Sequence, residues 1–189
     1  MDAIDAIQRR ISVRRFRPDP VPRETIERLL DCAVRAPNHK LTQPWRFAVV
    51  RGPARSRLAE LRAGHRLKRY EDPRSDEARA AAEKIRREAE RTPAFIVVMC
   101  AVHSDELTRE EDYAAAMMAT ENLLIAAESL GLGTYVKTGG IMQDPGVAAL
   151  VGLEPGHRVA AIVSLGYPDE VESPRRRKPA AEVTRWVDA

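Results

Sequence analysis

Aromatic residues are scarce in this chain: three Phe, two Trp and four Tyr make up 5% of its 189 residues. A core must therefore rest on aliphatic side chains, and a second subunit would add to it. Cysteine is rarer still. Cys32 and Cys100 have no CxxC or metal-ligand spacing, so both read as buried free thiols in a reducing compartment. The longest apolar run, Ala94 to Val102, is far short of the roughly 20 residues a membrane helix needs. Met1 to Asp5 shows no basic start followed by an apolar stretch, so no signal peptide and a cytoplasmic location are expected. No GxGxxG follows a strand, and HExxH, GxSxG and Walker A patterns are missing. That removes the Rossmann, zinc-protease, hydrolase and P-loop readings, and leaves no metal site and no catalytic nucleophile to name. Charge of one sign is missing too. The 31 basic and 28 acidic residues leave only +3, which permits phosphate binding without arguing for nucleic acid. The basic run Arg175 to Lys178 has no interleaved aromatics, which weighs against a nucleic-acid module.

What is present fits one domain, residues 1–189, with mixed helices and strands. Residues 3–10 predict a short helix with Ile4 and Ile7 on one face. A second helix starts after Pro22, carries Ile26, Leu29, Leu30 and Ala33, and ends at Pro37. Strands are expected over 46–50, 94–99, 134–138 and 158–165. Leu58 and Leu61 mark a further helix, and Asp144-Pro145 opens a short one as cap and first-turn proline. Residues 75–91 predict an exposed helix in which Ile85 is the one strongly apolar position. The longest helix, 109–130, is apolar over most of its surface from Tyr113 to Leu130 and stops at Gly131. A helix of that kind is buried nearly all round, which suggests one shared with a dimer partner. The elements do not alternate as regular βαβ units, so the fold class is α+β, a small sheet wrapped by helices.

Three segments carry chemistry. In Arg10-Ile11-Ser12-Val13-Arg14-Arg15-Phe16, guanidinium groups and a hydroxyl gather where a helix gives way to a loop, and both bind phosphate. In Arg35 to Phe47, a loop stiffened by Pro37 and Pro44 presents Asn38, His39, Thr42 and Gln43, groups that suit the edge of a heterocycle. Glu121 to Thr134 is a buried helix with a glycine stop. Each alone also fits an ordinary helix end, a structural loop or a core helix.

Together, the order RxSxRxF, then APxxxxxQPWxF, then ENLLxAAxxLGLG resembles the nitroreductase family over residues 4–168, in its compact bacterial subgroup. The resemblance implies a small, mostly antiparallel sheet in an intertwined homodimer, with FMN at each end of the interface. It implies Arg10, Ile11 through its backbone, and Ser12 at the phosphate and ribityl chain, with Arg14 near the pyrimidine edge. Arg35 and His39 would reach the flavin from the partner subunit. Val136, Lys137 and Thr138 would run along it, and Arg175 and Arg177 match a C-terminal basic pair that meets the phosphate. Ala126, Ala127, Glu128, Ser129, Leu130 and Gly131 match a stretch associated with the nicotinamide. Ile11 stands where Arg or His is common and Leu41 where Asn is common, so two side-chain contacts are absent.

The implied activity is ping-pong reduction of nitroaromatics, quinones or similar flat small-molecule acceptors by NADH or NADPH. A fixed cation, Arg14 or Lys137, would oppose the negative charge gained by the reduced ring. Reductive dehalogenation and oxidative dehydrogenation are alternatives on the same scaffold. Residues 64–91 would form the lid over the substrate, without a recognisable substrate signature. No nucleic acid or membrane partner is expected.

Overall fold

The structure, a computed structural model, describes residues 1–170, 173 and 175–188. Its helices are α1 (Ala3–Arg9), α2 (Arg23–Ala33), α3 (Ala54–Leu67), α4 (Asp76–Arg91), α5 (Glu106–Ser129) and α6 (Pro145–Leu150). The strands are β1 (Trp45–Val50), β2 (Ala94–Ala101), β3 (Gly133–Lys137) and β4 (His157–Gly166). They form one sheet in the order β1-β2-β4-β3, antiparallel throughout.

The sheet is covered on both faces, and β2 shows how. Its alternate residues Ala94, Ile96, Val98 and Cys100 pack with Leu29 of α2 and Leu123 of α5. Phe95, Val97 and Met99 pack on the other side with Leu58 of α3 and Val147 of α6. Side chains alternate across a strand, so a strand buried on both faces is apolar at every position, as Ala94–Ala101 is. Asp105 caps α5 by accepting from the Thr108 amide at 2.8 Å, and Asp144 caps α6 by accepting from the Gly146 amide at 2.8 Å. Gly131, at φ +73°, closes α5.

Several expectations need correction. The α2 helix ends at Ala33 and not at Pro37, because Arg35 and Ala36 donate to carbonyls three residues back, at Cys32 and Ala33. Cys32 is exposed in the chain; only Cys100 is buried, and burial pushes its thiol up to about 11. Ile4 and Ile7 face outward, and it is Ala6 that α1 buries. The α4 helix is not simply solvated, since Ala78, Ala82 and Ala89 are buried while Ile85 is only half-buried. Within one chain α5 is buried on one side, and Leu107 and Met118 lie exposed along the other, the side left for the partner that the expected shared helix requires. Among the described residues no helix is long and apolar enough to cross a membrane.

Candidate functional site

The N-terminal basic segment is clipped to the open edge of the sheet. The Val13 amide donates to the Thr134 carbonyl of β3 at 2.9 Å, and Ser12 bridges Thr134 in parallel register. Further along, the Arg17 amide donates to the Tyr167 carbonyl at 2.9 Å. Backbone alternation buries Val13 and leaves Ser12 and Arg14 exposed. The close approach requires Gly133, where a Cβ would stand 2.7 Å from Val13 Cγ2. The clip therefore lays Ser12 and Arg14 next to the strand that ends in Val136 and Lys137, with Thr138 following.

Arg10 lies where α1 ends. Its Nε is 3.3 Å from Glu121 Oε1, yet this buried nitrogen makes no hydrogen bond among the described residues. The distance makes an ion pair, but the N–H does not aim at the carboxylate. A buried, unsatisfied donor is costly, and an added acceptor would relieve it.

Beyond Arg14, the wall of the cleft is cationic. Two adjoining cavities, of about 180 and 550 Å³, share Arg62, Lys84, Glu88, Tyr135 and Lys137. Arg14 and Ser164 line the smaller; His65, Arg66, Arg69 and Thr138 line the larger. Lys137 Nζ lies 3.9 Å from the Tyr135 ring centroid, and the Arg14 guanidinium lies 5.7 Å from it. Burial, reinforced by Arg62 and, more weakly, Arg14, pushes the Lys137 ammonium down to about 7, against a partial opposing pull from Glu88. Burial also lowers Arg62, again partly countered by Glu88.

The other expected residues fall elsewhere. His39 Nδ1 is 2.6 Å from Glu111 Oε2, whereas Arg10 meets Glu121. Ten residues of α5 separate those carboxylates, about 15 Å along the helix, so one chain does not bring His39 to Arg10. Arg35 is exposed. The loop between them holds itself: Asn38 Oδ1 accepts from the Gln43 amide at 2.9 Å, and the Thr42 hydroxyl donates to Asp112 at 2.7 Å. Lys40, Leu41 and Gln43 all take positive φ, a strain typical of functional loops. Ile11 is half-buried beside the clip, and Ala126 to Gly131 form the capped end of α5; neither lines the cavities. Arg175 and Arg177 are exposed, with Arg177 donating to the Arg175 carbonyl at 3.2 Å, and they line neither cavity.

Sequence reasoning missed Arg62, Arg66, Arg69, Lys84 and Glu88. A signal existed: Arg62 and Arg66 stand at i, i+4, which sets them on one helix face, and Arg69 follows in the turn just past Leu67.

Fold and site thus define an α+β protein with an anion-attracting cleft at a sheet edge. The nitroreductase family model matches residues 7–167, and the chain belongs to the nitroreductase family. YfhC of Bacillus subtilis (strain 168), named as a candidate NAD(P)H nitroreductase, is 33% identical over 176 residues, covering 93% of this chain and 89% of YfhC. The crystal structure of a nitroreductase-like family protein from Bacillus cereus superposes with a TM-score of 0.85 at 29% identity, over 100% of this chain and 97% of that one. NfnB from sphigopyxis sp. strain HMH, described as an FMN and NADPH-dependent nitroreductase, shares the fold with a TM-score of 0.81 at 20% identity, over 99% of each chain.

Proposed function

We propose that the chain is an FMN-dependent oxidoreductase that uses NADH or NADPH to reduce a flat small-molecule acceptor, such as a nitroaromatic or a quinone. The observation that carries this reading is the basic segment fastened at Thr134 beside Val136–Thr138, with Arg10 Nε buried and without a hydrogen-bond acceptor among the described residues. Those residues fit a phosphate-bearing flavin. Arg10 and Ser12 supply donors for the phosphate, and the backbone at Ile11 and Val136 follows the same edge. FMN held there would supply the two-electron redox chemistry that links the nicotinamide to the acceptor.

The chain's own part is positioning and charge. Arg14 and Lys137 hold positive charge at the strand end, ahead of any negative charge that reduction brings. Lys137, titrating near neutrality, can hold or release a proton at Nζ during turnover. The exposed stripe of Leu107 and Met118 on α5, with Ile4 and Ile7 of α1, supports a homodimer whose partner covers them. In that dimer Arg35 and His39 serve the partner subunit's flavin, which accounts for their distance from Arg10 in one chain.

The purified protein should carry released-on-denaturation FMN, seen in its absorbance spectrum; a colourless protein that takes up no FMN sinks the reading. Arg10→Ala should weaken FMN binding by about 2–3 kcal/mol, the scale of a charge-assisted hydrogen bond, and leave riboflavin binding little changed. Equal losses for the two ligands would remove Arg10 from the phosphate. The two-chain site has its own test. Heterodimers of an Arg10→Ala/Ser12→Ala chain with an Arg35→Ala/His39→Ala chain should regain about half the wild-type rate, because one of two symmetric sites is intact. Heterodimers as inactive as both parents would return Arg35 and His39 to their own subunit.

A further inference from the structure

The larger cavity has a composition that a neutral nitroaromatic does not need. On α3, Arg62 and Arg66 stand one turn apart on the same face, Arg69 follows in the turn just beyond the helix end, and all three line the cleft. Facing them on α4 are Lys84 and Glu88, spaced by Ala81 and Ile85. Lys137 of β3 closes the end. Arg62 is 9% exposed, and its surroundings are the Phe95 ring at 5.7 Å and the charge of Glu88, with no ion pair within 4.0 Å among the described residues. Arg66 donates to the Tyr70 hydroxyl at 3.2 Å, a neutral partner.

The same two helices behave differently on their other faces. There Arg86 makes a two-pronged bond to Glu60 at 2.7 and 3.0 Å, Arg87 meets Glu83 at 3.5 Å and Arg79 meets Asp76 at 2.7 Å. Carboxylates are therefore plentiful on α3 and α4, but among the described residues Glu88 is the only one lining the cleft. Cations gathered in a partly desolvated wall repel each other and raise the local potential. An entering anion relieves that repulsion and replaces the missing counter-charge. The cavity, about 550 Å³, is in the size range of a small-molecule site, and the apolar Ala81, Ile85 and Ile141 leave room for a flat body beside the charged wall.

We infer that this cleft selects for negative charge: Arg62, Arg66 and Arg69, with Lys84 opposite, bind a carboxylate or phosphate group on a molecule that exchanges electrons at the site. The inference rests on the flavin-enzyme reading and assigns residues 64–91 a substrate-holding role. The anionic group has two sources, a carboxylate on the acceptor or the 2′-phosphate of NADPH, and paired ligands separate them.

The test compares wild-type enzyme with Arg66→Gln/Arg69→Gln, two positions at the rim where substitution leaves the core intact. Steady-state kinetics are measured for 4-nitrobenzoate against its methyl ester, and for NADPH against NADH. Calorimetry with 4-nitrobenzoate and with 2′,5′-ADP reads the cleft whether or not flavin is bound. At least one pair should show a KM preference of roughly tenfold or more for the more anionic member, matching one charge-assisted contact. The double variant should lose most of that preference in KM with kcat little changed, and should weaken the matching calorimetric affinity by a similar factor. Preference in the acceptor pair assigns a carboxylate-bearing substrate; preference in the nicotinamide pair assigns the 2′-phosphate. Equal KM values within both pairs, or a preference that survives the substitutions, overturn the inference. So does loss of FMN from the double variant alone, which would give these arginines to the cofactor's own phosphate. A wild-type protein without flavin defeats the function proposed above, while Arg66-dependent anion binding by calorimetry would still stand or fall separately.

Discussion

The outer and inner faces of the α3–α4 pair carry the same residue types and put them to opposite use. On the outer face, arginines and glutamates neutralise each other across the two helices, as Arg86 and Glu60 do. On the inner face Arg62, Lys84 and Lys137 crowd around Glu88. Exposed pairs contribute little stability because water already solvates both charges. Charges in the cleft are partly stripped of water, so each imbalance there is felt more strongly. The difference teaches that charges paired in water cost the fold little, whereas the unbalanced inner face keeps a positive field that a bound anion would offset.

Lys137→Met would break this comparison most visibly. Burial holds the folded-state value near 7, below the ordinary lysine value of 10.5. Between those limits the unfolded chain binds the proton and the fold does not, so stability rises with pH there. Below about pH 7 the ammonium is charged in both states, and its penalty is constant. The wild type should therefore gain about 2–3 kcal/mol between pH 7 and 9 relative to Lys137→Met, at roughly 1.4 kcal/mol per pH unit. Urea unfolding of the flavin-free proteins at the two pH values measures this, and parallel curves would show that Lys137 is solvated.

Glu88→Gln removes the carboxylate that raises both Lys137 and Arg62. About 1 kcal/mol of stability should be lost at pH 6–7, where Lys137 is charged, and less at pH 9.5, where it is neutral. A loss that does not shrink with pH would mean Glu88 acts through packing alone. Arg86→Ala should cost the least, about 0.5 kcal/mol, as for an exposed pair, and the loss should fade in 0.5 M salt. If it proves larger than the Glu88 change, the two faces do not differ in how strongly water screens their charges.

Much of the fold was legible because local rules decide it. The unbroken apolar run at Ala94 marked a strand covered on both faces, Asp144-Pro145 marked a capped helix, and Gly131 marked a helix end. The orientation of α1 was not legible, since Ile4 and Ile7 share one face whether the cover is this chain or another. Cys32 misled for the same reason. The site was half legible. Arg10, Ser12 and Arg14 stood out only through the order of three motifs, and their approach to Lys137 depends on Gly133 admitting Val13. Arg62 and Arg66 of α3, and Arg69 just beyond it, were overlooked because basic residues at such spacing equally mark a solvated helix face.

The sequence by itself determined most of the elements, the α+β class and, through the order of its motifs, the family, because periodicity, caps and ordered motifs are properties of neighbours along the chain. Tertiary structure alone decided which cations are neutralised. Arg86 and Glu60 stand 26 positions apart and meet at 2.7 Å, while Arg62 and Lys137, still farther apart in sequence, share a cavity. Coulomb energy depends on separations of a few ångströms and on local access of water, and both are set by how α3, α4 and β3 stack.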